Sequence, residues 1–170
     1  MTVRSYDRHA CPIAQTLSVV GDQWTLLLVR DVLRGARRFE TFQSSLGISR
    51  NLLARRLKQL VAEGLLERTR IPGSRRYEYR PTEKCKDLRL TILALAEWGE
   101  RWRADPKGAR LEFRERDTDA AVGVRFCRLD DGRAIDMADV VTHAGPAASD
   151  GLKRRLARYR EGVSETGTDD

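Results

Sequence analysis

The sequence has few of the residues and segments that define several large classes of protein. Three cysteines, Cys11, Cys85 and Cys127, are widely spaced among 170 residues. This spacing does not provide a disulfide framework, so we expect reduced thiols. No apolar run approaches the ~18 residues of a membrane span, and residues 1–10 lack the apolar stretch of a secretory signal. The composition therefore predicts a cytoplasmic protein that makes no contact with a membrane.

The sequence also contains little that indicates catalysis. The two histidines, His9 and His143, have no recognisable catalytic partners. The sequence lacks the nucleophile elbow G-x-S-x-G, a phosphate-binding loop and the zinc motif H-E-x-x-H. We therefore expect a protein that is not an enzyme and that holds no cofactor.

Charged residues, in contrast, are abundant and unevenly distributed. They make up 34% of the chain, and the formal net charge is +7. Residues 1–104 contain 20 basic and 11 acidic residues, a net charge of +9, whereas residues 105–170 have a net charge of −2. Nine basic and three acidic residues lie between Arg50 and Arg80. This excess favours a polyanion such as nucleic acid, although charge alone fits an arginine-rich solvated surface equally well.

Apolar spacing and glycine positions predict a helix-turn-helix followed by a hairpin. Helices are expected over residues 12–20 and 23–34, with Asp22 as the N-cap of the second. A short helix ends at Gly47, and a longer one over residues 50–63, with Ser49 as N-cap, ends at Gly64. Strands over residues 65–71 and 77–80 then flank the turn Pro72-Gly73-Ser74. This order predicts a mainly α, winged helix-turn-helix fold with a small β-wing.

The chain beyond the wing is expected to form a long helix and then a separate extension. Thr82 is the predicted cap of a helix over residues 83–103 that is apolar on more than one face. Such a helix must bury two sides, and a second copy of the chain is the natural partner for one of them. Asp105-Pro106 marks the boundary between a DNA-binding and dimerisation domain (1–104) and a C-terminal extension (105–170). Strands at 110–116 and 122–129, a hairpin turn at Asp130-Asp131-Gly132, a helix at 152–160 and a disordered tail from Val163 are expected there.

The predicted helix after Ser49 has one apolar and one polar side. Leu53, Leu57 and Leu60 form a core stripe, and the opposite side is suited to DNA, because Asn pairs with adenine and Arg with guanine in the major groove. The wing arginines suit the phosphate backbone or a narrow minor groove. The candidate DNA-binding residues are Ser49, Arg50, Asn51, Ala54, Arg55, Lys58, Arg70, Ser74, Arg75 and Arg76. The alternatives are a solvated helix surface and an ordinary charged turn.

Several motifs together resemble the HxlR-type family of bacterial winged-helix transcription regulators, which is related to the MarR group. They are Cys11-Pro12, Val20-Gly21-Asp22-Gln23-Trp24, Arg37-Arg38-Phe39, Leu46-Gly47-Ile48-Ser49, Leu57-Lys58-Gln59-Leu60, Glu63-Gly64-Leu65, Tyr79-Arg80-Pro81-Thr82-Glu83-Lys84 and Trp98-Gly99. The resemblance covers about residues 11–102. It implies a homodimer built largely from the first and last helices of this region, which binds double-stranded promoter DNA and usually represses transcription but sometimes activates it.

The resemblance also suggests how such a regulator would respond to a signal. Cys11 matches a cysteine that senses oxidants or electrophiles in some members, and its place at a helix start near Arg8 and His9 is compatible with reactivity. The alternative is a small buried residue beneath the dimer interface. Cys85, in the first turn of the long helix, is electrostatically similar to Cys11. A small-molecule effector could instead bind among Trp24, Trp98 and Trp102, which would otherwise be ordinary core residues.

Part of the extension, residues 124–147, resembles a ribbon-like appendage that carries paired cysteines in some relatives. Here Asp130 replaces the second cysteine of a C-x-x-C pair that would begin at Cys127, so we expect no structural zinc or other metal. The extension is expected to support the dimer or to cover a ligand cavity. Two alternatives to a redox-responsive repressor remain: a ligand-responsive regulator without cysteine sensing, and a winged helix that binds proteins.

Overall fold

The computed structural model describes residues 11–160, which form two compact units. The first is Thr16–Val124, and the second comprises residues 11–15 and 125–160. The first unit contains the helix-turn-helix and the hairpin, and it continues beyond the boundary predicted at Asp105. The mainly helical architecture with a two-stranded wing is as the sequence predicts.

The first two helices are α1 (Pro12–Val20) and α2 (Thr25–Leu33). α2 begins two residues later than predicted, and Trp24 rather than Asp22 occupies its N-cap position. Asp22 still satisfies the helix start, because its Oδ1 accepts hydrogen bonds from the backbone N–H groups of Trp24 (2.9 Å) and Thr25 (3.2 Å). The predicted capping residue is therefore correct in function and wrong in position.

The helix-turn-helix consists of α3 (Phe39–Leu46) and α4 (Arg50–Ala62). Gly47 ends α3 with a φ of 61°, in the left-handed region where a side chain would be strained. Ser49 occupies the N-cap position of α4 as predicted, but its hydroxyl makes no capping hydrogen bond. The tight connection between the two helices follows from the predicted glycine turn.

The wing is an antiparallel hairpin of β1 (Leu66–Arg70) and β2 (Tyr77–Pro81). Leu66 pairs with Pro81 at one end, and Arg70 pairs with Tyr77 next to the turn. The backbone N–H of Tyr79 donates to the carbonyl of Arg37 at 2.9 Å, and the Thr82 hydroxyl donates to the carbonyl of Gly64 at 2.7 Å. These bonds attach both ends of β2 to the helical part of the unit.

The core lies between α2, α3, α4 and the wing. The stripe Leu53, Leu57 and Leu60 is fully buried. The Phe42 ring of α3 meets the Tyr79 ring of β2 edge to face, with 6.3 Å between their centroids. The other large, fully buried side chains are Leu28, Val29, Val32, Leu65, Thr25 and Cys85. The leucine side of α4 is therefore fixed in the core, as the sequence predicts.

The predicted long helix is interrupted. The structure has α5 (Glu83–Asp87) and α6 (Arg89–Trp102), separated by Leu88. Thr82 caps α5 as expected, because its Oγ1 accepts a hydrogen bond from the Cys85 N–H at 3.3 Å. The Leu88 N–H then bonds back three residues to the Cys85 carbonyl, and both side chains pack on the core. This tighter turn is not apparent from the periodicity of the sequence.

The chain after α6 has little regular structure. The predicted strands over 110–116 and 122–129 are reduced to a single bridge between Arg114 and Ala121 and to β3 (Phe126–Cys127). Most of these residues are exposed, so long strands would have no apolar surface to bury. β3 pairs with β4 (Ala134–Ile135) across the predicted hairpin turn, and Gly132 has a φ of 71°.

The second unit ends with a short 3-10 turn (Met137–Asp139) and α7 (Asp150–Arg160). The predicted helix over 152–160 is present and begins two residues earlier. The predicted disordered tail and the N-terminal residues, including Arg8 and His9, lie outside the described residues. Within residues 11–160, no helix combines the length and the apolar character that crossing a membrane requires.

Candidate nucleic-acid interface

The polar side of α4 is open to solvent. Asn51, Ala54, Arg55 and Lys58 are exposed, opposite the buried leucine stripe. Within the part of the chain that the structure describes, the side chains of Asn51, Arg55 and Lys58 form no hydrogen bond or ion pair. Their donors are therefore available to base edges and phosphates.

Arg50 connects the start of α4 with the start of α3. Its guanidinium carbon lies 5.1 Å from the centroid of the Phe39 ring, in cation–π geometry. Ser49 is exposed beside it. The stacking holds Arg50 next to the first turn of the recognition helix, where a contact with the DNA backbone is expected.

The wing arginines differ in how far the hairpin uses them. Arg70 Nε donates to the Ser74 carbonyl at 3.0 Å, and the Ser74 hydroxyl accepts the backbone N–H of Arg76 at 3.1 Å. Gly73 has a φ of 71° in this turn. Arg70 and Ser74 therefore help to shape the turn, whereas the Arg75 side chain is exposed at its tip.

A cleft of about 290 Å³ separates the start of α3 from the wing. It is lined by Arg38, Phe39, Glu40, Arg68, Arg76, Tyr77 and Tyr79. The Arg68 guanidinium stacks on the Tyr77 ring, 3.7 Å from its centroid. Because Phe39 also carries Arg50, the basic surface continues from α4 through this cleft to the wing.

The sequence analysis missed Arg38 and Arg68 as part of this surface. Arg68 precedes Arg70 by two residues in β1, and strand alternation places such residues on one face. Arg38 precedes the first residue of α3. Both positions were therefore visible as signals once the strand and the helix start were known.

A second missed residue, Arg56, fixes the position of α4. Arg56 Nε lies 3.3 Å from Asp22 Oδ1, and its Nη1 donates to Gln59 Oε1 at 3.0 Å. Both charged side chains are mostly buried, with 22% and 20% of their surface exposed. Asp22 thus joins the start of α2 to the middle of the recognition helix.

The cysteines lie in different environments, and no disulfide joins them. Cys11 is half-buried immediately before α1, and Cys127 is exposed on β3. Cys85 is buried, and burial raises the pKa of its thiol from 9.0 to about 11. The expected electrostatic similarity of Cys85 to Cys11 is therefore wrong, because burial disfavours the thiolate that reactivity requires.

The three tryptophans do not share one environment. Trp24 is half-buried and packs against the core, whereas Trp98 and Trp102 are exposed on α6. None of them lines the cleft beside α3, the hollow at the wing turn or the cavity between α2 and α6. Among residues 11–160, no three His, Cys, Asp or Glu side chains are grouped to hold a metal ion.

The fold and the exposed face of α4 define a winged helix-turn-helix DNA-binding protein. The model of the HxlR-like helix-turn-helix family matches residues 19–107. The chain belongs to this family and is a transcriptional regulator of the helix-turn-helix type, a class of DNA-binding proteins rather than enzymes.

Similar proteins agree with this assignment. An uncharacterized HTH-type transcriptional regulator of Mycobacterium tuberculosis is 34% identical over 148 residues, which are 85% of this chain and 90% of the relative. The crystal structure of PA1607, a candidate transcription factor, has a TM-score of 0.75 and 33% identity, and covers 83% of this chain and 99% of that one. The reduced form of the redox regulator HypR has a TM-score of 0.52 and 30% identity, and covers 55% of this chain and 94% of HypR.

Proposed function

We propose that the protein binds a pseudo-palindromic operator as a homodimer and represses transcription in the bacterial cytoplasm. The observation that carries the proposal is the geometry of α4, where Asn51 and Arg55 are exposed and the leucines opposite them are buried. A helix held in this way can enter the major groove without rearrangement of the core. Each protomer of a two-fold dimer would then contact one half-site.

The apolar surface of α6 supports the homodimer. Leu90, Leu95, Trp98 and Trp102 are 67%, 50%, 58% and 66% exposed, and no residue of α6 is buried. α1 likewise exposes Ile13 and Leu17. Large apolar side chains in such number on single helices indicate a protein-protein contact, and the family resemblance assigns that contact to a second copy.

Cys11 is the candidate for a redox response. It lies at the N-terminal end of α1, and HypR, a regulator of similar fold, is described as a redox regulator. Oxidation of Cys11 would alter operator affinity. Band-shift titrations of wild type and Cys11→Ser, with and without peroxide or quinone, test this role. An identical response of the two proteins would exclude sensing at Cys11 and favour a regulator that responds to a ligand instead.

The salt dependence of binding tests the proposed function against a winged helix that binds proteins. Phosphate contacts release counterions, so the affinity for a selected duplex should fall steeply as salt increases. Arg75→Ala should reduce the slope of this dependence by about one and weaken binding to all sequences similarly. Binding that is unaffected by salt, or no binding to any selected duplex, would contradict the proposal.

A further inference from the structure

A cavity of about 190 Å³ lies between α2 and α6, away from the basic surface described above. Its apolar lining includes Leu33, Ile92 and Phe113, and three arginines, Arg30, Arg34 and Arg89, border it. None of its lining residues is acidic. This volume is below the ~300 Å³ at which sites for drug-sized ligands begin, so the cavity suits a smaller molecule.

The cavity has more positive charge than its surroundings neutralise. Arg34 and Arg89 are exposed and form no ion pair with any carboxylate among residues 11–160. Arg30 has one carboxylate partner, Asp31, whose Oδ1 lies 2.8 Å from both Nε and Nη2. Guanidinium groups beside an apolar surface match a carboxylate attached to an apolar body.

A contact of Arg30 connects the cavity to the helix-turn-helix. Asp31 is a buried acid, and its Oδ2 accepts a hydrogen bond from the Ser45 hydroxyl of α3 at 2.7 Å. A ligand carboxylate that draws Arg30 toward the cavity weakens its ion pair with Asp31. The contact between α2 and α3 then changes, and with it the support of α4.

We propose that this cavity binds a small organic acid, with one ring or a short aliphatic chain, and that the bound acid weakens DNA binding. The effect on DNA rests on the proposed function, whereas the binding of the acid does not. Phe113 gives the C-terminal extension a role, because it contributes an apolar wall to the cavity.

Calorimetric titration of the DNA-free protein with benzoate and hexanoate tests the site. We expect one acid to bind per chain, and we expect the uncharged amide of that acid to bind more weakly. Arg34→Gln combined with Arg89→Gln should weaken binding about tenfold, because hydrogen bonds to a charged group are lost. The control pair Arg101→Gln and Arg103→Gln, also exposed but outside the cavity, should bind as wild type does.

Thermal unfolding confirms that the variants fold before they are titrated. Three results would overturn the site: no heat with either acid, equal affinity for acid and amide, or an equal loss of affinity in the control pair. Because this titration contains no DNA, its result is independent of the proposed function.

Duplex titrations with and without the bound acid test the regulation. The acid should weaken DNA binding of the wild type by about fivefold or more, and less in Ser45→Ala, which should still bind the acid with unchanged affinity. DNA binding that does not respond to a bound acid would overturn the regulatory part alone. A protein that binds the acid but no duplex would overturn the proposed function and leave the site intact.

Discussion

Individual arginines on the candidate interface have different energetic roles. Arg50 and Arg68 are held on aromatic rings, and Arg70 is hydrogen-bonded within the wing turn. Arg55 and Arg75 have no such contact within the described residues. Substitution of the first three therefore changes both stability and DNA binding, whereas substitution of Arg55 or Arg75 changes DNA binding alone.

The burial of Cys85 predicts a protected thiol. Its pKa is raised to about 11, so the folded state favours the neutral thiol. The stability this provides is present below pH 9 and is lost as the pH rises towards 11. Alkylation at pH 8 followed by mass spectrometry should label the exposed Cys127 quickly and Cys85 only in denaturant. Labelling of both at the same rate in the native protein would contradict this burial.

At the scale of secondary-structure elements, Asp22 has the widest effect. It satisfies the N-terminus of α2 and forms an ion pair with Arg56 of α4, so one carboxylate connects two helices. The leucine stripe fixes which side of α4 faces the core, and the ion pair adds a polar attachment near the middle of the helix. Both are needed to hold the recognition helix in one orientation.

Asp22→Ala should therefore destabilise the protein. Loss of a residue that satisfies helix N-terminal N–H groups costs about 1–2 kcal/mol of the free energy of unfolding. Urea unfolding measures the difference, with Asp87→Ala, at the exposed end of α5, as the control. Equal stability of the two variants would show that Asp22 does not hold the helices.

Element types were predictable from the sequence where local signals were strong. Leu53, Leu57, Leu60 and the glycine after α3 were sufficient for the helix-turn-helix, and the Pro-Gly-Ser turn was sufficient for the wing. The break at Leu88 was not predictable, because it results from the packing of Cys85 and Leu88 on a core that only the folded chain forms.

At the scale of the whole molecule, the apolar surface of α6 requires a partner. If that partner is a second copy, Leu95→Glu combined with Trp98→Glu should convert the dimer to a monomer, because both exposed apolar side chains become charged. Sedimentation velocity measures the change, and circular dichroism verifies the helices. Leu129→Glu, at a fully exposed position in the β3–β4 turn, is the matched control. A wild-type protein that sediments as a monomer would contradict the dimer.

Charge distribution predicted the binding surface better than it predicted its members. The basic excess between Arg50 and Arg80 located the interface in the sequence. The contributions of Arg38 and Phe39 depend on the approach of α3 to the wing, which charge counting does not describe. The extension was predicted least well, because exposed residues with few apolar contacts give weak periodicity.

The most direct test of the central claim is the base preference of Arg55→Ala at a selected operator. If α4 lies in the major groove, this variant should lose about 1–3 kcal/mol of binding free energy at the preferred base and accept the other bases there almost equally. The comparison variant Arg75→Ala should weaken all sequences alike. An Arg55→Ala protein with the affinity and base preference of the wild type would contradict the account.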